Sequence, residues 1–275
     1  MKYKELLAFL SCVFTLQGNW VTSDANKNVI GIIQDITRYK TTTGYLLTKI
    51  NEFDKPTLFT WTGTQWIKAR MLEHDILKMQ AIDDSLFLLT QADPQELLLF
   101  FNQQISSIYR FESKEPIINF LPYEQDIFII KNAIIRILNA QSENIWHLSD
   151  LTNVSDFAVD SSGFIWAVEK EIIGQGRQTT LFIKLKQWNP KTKLWRLLTQ
   201  QVGPRIFKLA TGVAKDIWSL QGETPKQLFA FKWNKTTQKW DLKGSLKGFK
   251  AITVAQDGTV WAVHHNNTIY EWREN

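Results

Sequence analysis

The residues of this chain with any capacity for metal or nucleophilic chemistry are four histidines, a single cysteine and carboxylates scattered along its 275 positions. One thiol rules out an internal disulfide and a thiolate zinc cage, which needs several Cys or His at short spacing. Cys12 also lies in an apolar stretch that disfavours its ionisation, so it is a poor nucleophile. His264 and His265 are adjacent on a predicted strand and point to opposite faces, so they cannot share one ion, and His74 and His147 stand alone. Gly174 and Gly176, in Gly174-Gln175-Gly176-Arg177-Gln178, sit in a predicted turn without the helix start that a phosphate loop requires. No Gly-x-Ser-x-Gly elbow and no calcium loop of alternating Asp occur. Asp83, Asp84 and Asp150 fall at predicted turns, where solvated carboxylates are ordinary, and a hydrolytic acid pair would have to be brought together from distant residues by the fold. These residues predict no catalysis, no cofactor and no metal, with a carbohydrate-active enzyme as the remote alternative.

Recognition is the remaining class. The 32 Lys+Arg against 27 Asp+Glu give a net charge of +5, a mild field without the clustered basic runs that track phosphates, so nucleic acid is not an expected partner. The long connections between predicted strands are 49–57, 91–97, 169–180 and 221–227, and long connections gathered on one rim of a rigid scaffold are where binding function usually sits. Lys170, Gln175, Arg177, Gln178 and Lys226 are the candidate binding residues on these segments. The stretch around Ile172-Ile173 adds an apolar pair to the basic and amide groups. Such a rim suits a protein or an anionic lipid surface, with a glycan as the alternative ligand and a monomer as the expected state.

The elements that must position these residues are announced by the aromatic side chains. All twelve tryptophans fall into three recurring columns. The first is Tyr45, Phe87, Phe128, Trp166, Trp218 and Trp261, at intervals of 42, 41, 38, 52 and 43 residues, each inside a short apolar run. The second is Trp61, Phe101, Leu138, Trp188, Trp233 and Trp272. The third follows it closely as Trp66, Tyr109, Trp146, Trp195 and Trp240, with Trp20 as its sixth member at the other end of the chain. A further apolar run precedes each copy of the first column, as in Ile76-Leu77-Lys78-Met79 and Ile206-Phe207-Lys208-Leu209. Each repeat thus holds four short runs rich in β-branched and aromatic residues, bounded by turn formers. Six copies of a four-stranded unit predict an all-β, six-bladed β-propeller in which the columns pack blade against blade.

The last repeat supplies three strands and the segment around Trp20 a matching fourth, which would close the ring. Because Val13–Trp20 resembles Leu58–Trp66, seven blades are the alternative. Lys2 and Lys4 precede an apolar stretch, Leu6 to Leu16, with the length of a signal-peptide core and too short to span a bilayer as a helix. Glu5 and the lack of a small-x-small site before Trp20 favour a retained strand or helix over a leader. Residues 1–18 are therefore read as an N-terminal segment and 19–275 as one propeller domain.

The stretch Ala251-Ile252-Thr253-Val254-Ala255-Gln256-Asp257-Gly258-Thr259-Val260-Trp261-Ala262-Val263, continuing to Thr268-Ile269-Tyr270-Glu271-Trp272, resembles the tectonin repeat, with Trp240 as its leading Trp. Asp160-Ser161-Ser162-Gly163-Phe164-Ile165-Trp166 repeats it more loosely, Lys215-Asp216-Ile217-Trp218 keeps its core, and the first half of the chain loses Asp-Gly. The resemblance implies a propeller and a recognition function, since tectonin-like proteins include sugar-binding and lipopolysaccharide-binding lectins and intracellular membrane-associated adaptors.

Overall fold

The computed structural model describes residues 18–274, apart from 27–28, 30, 41–42, 52, 83–84, 112–115, 124–125, 133, 140–144, 148–150, 161, 175–179, 203, 213–215 and 256. Strand β1 (Asn19–Thr22) opens the described chain. Blade one is β2 (Ile32–Lys40), β3 (Thr43–Lys49), β4 (Thr57–Trp61) and β5 (Trp66–Met71), and blade two is β6 (Ile76–Ile82), β7 (Ser85–Thr90), β8 (Glu96–Phe101) and β9 (Gln104–Arg110). Blade three is β10 (Ile117–Tyr123), β11 (Asp126–Lys131), β12 (Ile134–Asn139) and β13 (Ile145–His147), and blade four is β14 (Val154–Val159), β15 (Ile165–Ile173), β16 (Thr180–Asn189) and β17 (Leu194–Val202). Blade five is β18 (Arg205–Thr211), β19 (Ile217–Gly222), β20 (Phe229–Asn234) and β21 (Lys239–Lys247). Blade six takes β22 (Phe249–Val254), β23 (Val260–His264) and β24 (Ile269–Arg273) from the end of the chain and β1 from its start.

Every blade is an antiparallel meander, and the first strands β2, β6, β10, β14, β18 and β22 touch their successors around a closed circle, β22 returning to β2. The molecule is a six-bladed propeller, and among the described residues one 3₁₀ turn, Asp24–Asn26, is its only helical element. The apparent repeat at 13–17 lies outside the described residues. Closure runs through four pairs, Asn19 with Arg273, Trp20 with Trp272, Val21 with Glu271 and Thr22 with Tyr270.

Second strands are buried on both faces, as in Ile217-Trp218-Ser219-Leu220, whereas the outermost strands bury few residues: in β5 only Trp66 is fully covered. The second and third aromatic columns face each other across the outer hairpin, Trp61 opposite Trp66, Trp188 opposite Trp195, Trp233 opposite Trp240 and Trp272 opposite Trp20. Such large directly opposed pairs stabilise a hairpin and cover the blade junction. Trp61 and Trp66 lie edge to face with Trp261, and Trp20 packs on Trp218, Phe249 and Trp272, so blade six is clasped on both sides by indoles. Blades two and three depart from the expected columns. Phe100 is buried opposite Ile105 while Phe101 is exposed, and Ile145 rather than Trp146 stands opposite Leu138.

The Asp-Gly motif is turn chemistry. Asp160 Oδ1 accepts from the backbone N–H groups of Ser162 and Phe164, and Oδ2 accepts from Trp166 Nε1, tying the tight turn to the core indole. Ala255 to Thr259 repeats the same backbone bonds, with Gly258 at a φ of 84° supplying the left-handed residue.

Candidate functional site

All six innermost strands carry a β-bulge at the same place, after which each sets one side chain at an equivalent level: Asp35, Lys78, Asn119, Asp156, Lys208 and Ala251. A bulge re-aims side chains and loosens the ladder. Here it accompanies a second task, because an innermost strand has one edge of backbone N–H groups with no strand to bond. Asp35 Oδ2 accepts from Met79 N in the next blade at 3.0 Å, and Asp156 Oδ2 accepts from Leu209 N in the next blade at 2.6 Å. Thr37 Oγ1 accepts from Ala81 N in the same manner, and Asn119 donates its amide to Asp156 Oδ1. Side chains thereby lace the first strand of blade one to that of blade two, and those of blades three, four and five to one another.

Next to this level, the face carrying the second-to-third-strand connections opens a hollow of about 790 Å³. It is lined by Ile118, Asn153, Val154, Ser155, Lys170, Ile172, Leu181 and Arg205, from blades three, four and five. Ile118 and Ser155 are bulge residues, which explains why side chains of innermost strands turn outward here. Burial, then the charge of Arg205, holds the Lys170 ammonium below the ordinary lysine range, against the pull of Asp156. The hollow can therefore pair two cations with an anionic group while Ile118, Ile172 and Leu181 cover apolar surface.

The segment 169–180 is not a loop over its whole length. Strands β15 and β16 remain paired from Ile165 with Trp188 out to Ile173 with Thr180. Paired β-branched residues and the ion pairs Lys184–Glu171 and Lys186–Glu169, both 2.8 Å, extend the ladder. Lys170 and Ile172 are thus held on a rigid hairpin. Gln175, Arg177 and Gln178 at its tip lie outside the described residues, as do Asp83, Asp84 and Asp150. Lys226 is exposed in the β19–β20 connection, away from the hollow's lining, in a segment whose Pro225 carbonyl bonds His265 Nε2 at 3.1 Å. His264 is likewise engaged with a backbone carbonyl, that of Lys247. No group of His, Cys, Asp and Glu suited to a metal occurs among the described residues, and no described helix is long and apolar enough to cross a membrane.

Sequence reasoning missed Arg205 and the axial set. A signal was present: Ile76-Leu77-Lys78-Met79, Ile117-Ile118-Asn119-Phe120, Val154-Ser155-Asp156-Phe157 and Ile206-Phe207-Lys208-Leu209 each place a polar residue third in a run bracketed by apolar ones. Such a residue breaks simple alternation, as a bulge does.

No protein-family model matches the chain, and no curated protein matches it significantly in sequence. Solved structures do. The WD40 propeller domain of Doa1 aligns with a TM-score of 0.62 at 10% identity over 94% of this chain and 98% of that one. A nidogen/laminin complex gives 0.57 at 12% identity over 85% and 86%, and YCF48 bound to D1 peptide gives 0.53 at 14% over 95% and 98%. At such identities the likeness is one of fold, that of a β-propeller.

Proposed function

We propose that the protein is a non-catalytic recognition scaffold that docks a protein partner on its long-connection face, through a segment that presents acidic and apolar side chains together. The observation that carries this reading is the hollow, where Lys170 and Arg205 stand over Ile118, Ile172 and Leu181. The surroundings favour the same use. Ile173 and Val202, on the same blade as Lys170 and Ile172, are exposed where β15 and β17 end on this face and extend its apolar part. Two neighbours in fold, the nidogen/laminin complex and YCF48 bound to D1 peptide, are protein and peptide complexes. The likeness of 251–272 to a tectonin repeat supports recognition as the class, and glycan binding is the competing ligand chemistry.

A photo-crosslinking residue placed at position 172 in the full-length protein would capture the partner for identification, and affinity would then be measured with purified components. The double variant K170A/R205A and the single variant I172D should each weaken binding by roughly tenfold or more, because desolvated charged contacts and a central apolar anchor carry interface energy. Unchanged affinity in both would sink the reading. Sugar-competed binding on a glycan array, or binding only to vesicles of anionic lipid, would replace the protein partner by those ligands.

A further inference from the structure

Blade four departs from the other five at the long-connection face. In those five the innermost strand stays paired to the last residue of the second strand, as Ile117 with Lys131 in blade three and Arg205 with Gly222 in blade five. In blade four β14 begins at Val154, opposite Glu169, while β15 runs on to Ile173. The overhang, residues 170–173, is held on its outer side by β16, as far as Ile173 with Thr180. On its inner side the last backbone bond among the described residues is donated by Lys170 N to Asn153 O, at 3.1 Å. Backbone groups alternate between the two edges of a strand, so the N–H and C=O of Ile172 point the same way as those of Lys170. They face inward beside the hollow and meet no described strand there, and Ile172 is 70% exposed.

We propose that the partner binds as an added β-strand, an extended segment that bonds the free inner edge of β15 at Ile172 and turns an acidic side chain toward Lys170 and Arg205. Strand addition presupposes the docking of a protein at this face and adds the form in which its segment binds. A strand edge with unpaired N–H and C=O groups is a template for a further strand. This one is already rigid, because the ladder with β16 and the Lys184–Glu171 ion pair hold it before any partner arrives. It also borders the hollow, which has room for the side chains of an added strand between Ile118, Ile172 and Leu181. The charge is complementary: the charged residues lining the hollow are Lys170 and Arg205, whereas Asp156 is engaged by Asn119 and Leu209 and Glu171 by Lys184. Side chains of a strand alternate between its faces, so the segment should carry its acidic residue where it shares the face of Lys170 and none at the neighbouring position, which shares the face of Glu171.

Random twelve-residue peptides displayed on phage and selected on the full-length protein supply the probe, and those retained by the parent but not by K170A/R205A are synthesised for titration. Amide hydrogen exchange reads the edge directly. The Ile172 amide should exchange rapidly in the free protein and become at least about tenfold slower with peptide bound, while Glu171, whose N–H faces β16, stays slow throughout. Binding energy gives a second reading. I172A removes the side chain and keeps the N–H, whereas I172P removes both, and proline is accepted at a strand edge whose N–H bonds nothing. I172P should therefore bind peptide about fivefold more weakly than I172A, the loss of one backbone bond. An Ile172 amide already protected in the free protein, no protection from any selected peptide, equal affinities of I172P and I172A, or a library that yields no such peptide would each overturn strand addition. If a captured partner is still released by I172D and K170A/R205A in any of those cases, docking at the face stands and only its strand form falls.

Discussion

Asp156 shows what a single side chain decides in this ring. It is 3% exposed, and its two oxygens reach Asn119 in blade three and the backbone of Leu209 in blade five, so one carboxylate joins three consecutive innermost strands. Asp35 occupies the same position in blade one but reaches forward only, to Met79. Replacing a buried acceptor by Ala leaves its donors unsatisfied, so D156A should cost about 2–3 kcal/mol and D35A about 1–2 kcal/mol in urea unfolding. Equal losses would mean that Asn119 gains nothing from its partner. Lys208 and Lys170 belong to the same neighbourhood with the opposite sign. Both hold protons less tightly in the folded chain, so just below the ordinary lysine range the unfolded chain binds more protons and stability rises with pH. In K208Q that rise in melting temperature between neutral and alkaline buffer should be smaller than in the parent, and an unchanged slope would show that Lys208 is freely solvated.

Strands, not residues, explain where the sequence could be read and where it could not. Second strands, such as β19, with Trp218 1% exposed, are covered on both sides, so their composition is forced toward continuous apolar runs and their spacing survives along the chain. The outer hairpins of blades one, four, five and six keep paired indoles, and there the columns fall in register. In blades two and three the pairs are Phe100 with Ile105 and Leu138 with Ile145, less bulky residues, and a neighbouring aromatic catches the eye instead. The hollow was legible only through Lys170 and Ile172, because Arg205, Asn153 and Ile118 come from three different blades and no spacing along the chain brings them together. Outer strands have their own demands. In β21 Gly244 takes a φ of 74°, and a Cβ there would lie 3.0 Å from Cδ1 of Trp20. The change G244A should cost about 1–3 kcal/mol through backbone strain and the displaced indole, read in denaturant unfolding. A neutral result would show that β1 yields easily.

At the scale of the whole molecule the clasp of blade six decides whether the ring is one cooperative body. Trp20 supplies packing against Trp218, Phe249 and Trp272 and donates its Nε1 to Lys243 O at 2.7 Å, so it joins the first described strand to blades five and six together. Truncation to Ala should cost about 3 kcal/mol or more by loss of apolar burial. Calorimetric unfolding should also broaden as blade six loosens from the rest, and a sharp transition at the parent temperature would contradict a closing role for β1.

The same clasp sets an order of events during synthesis. Five blades consist of strands contiguous in the chain and can be completed while translation proceeds, but Asn19–Thr22 finds its partner only after Tyr270–Arg273 has left the ribosome. Until then the opening strand has no ladder to join, and the loop that finally closes is nearly the length of the domain. Ring closure is therefore the event most exposed to delay, and the nascent protein spends its time on the ribosome as an open arc with two unpaired ends.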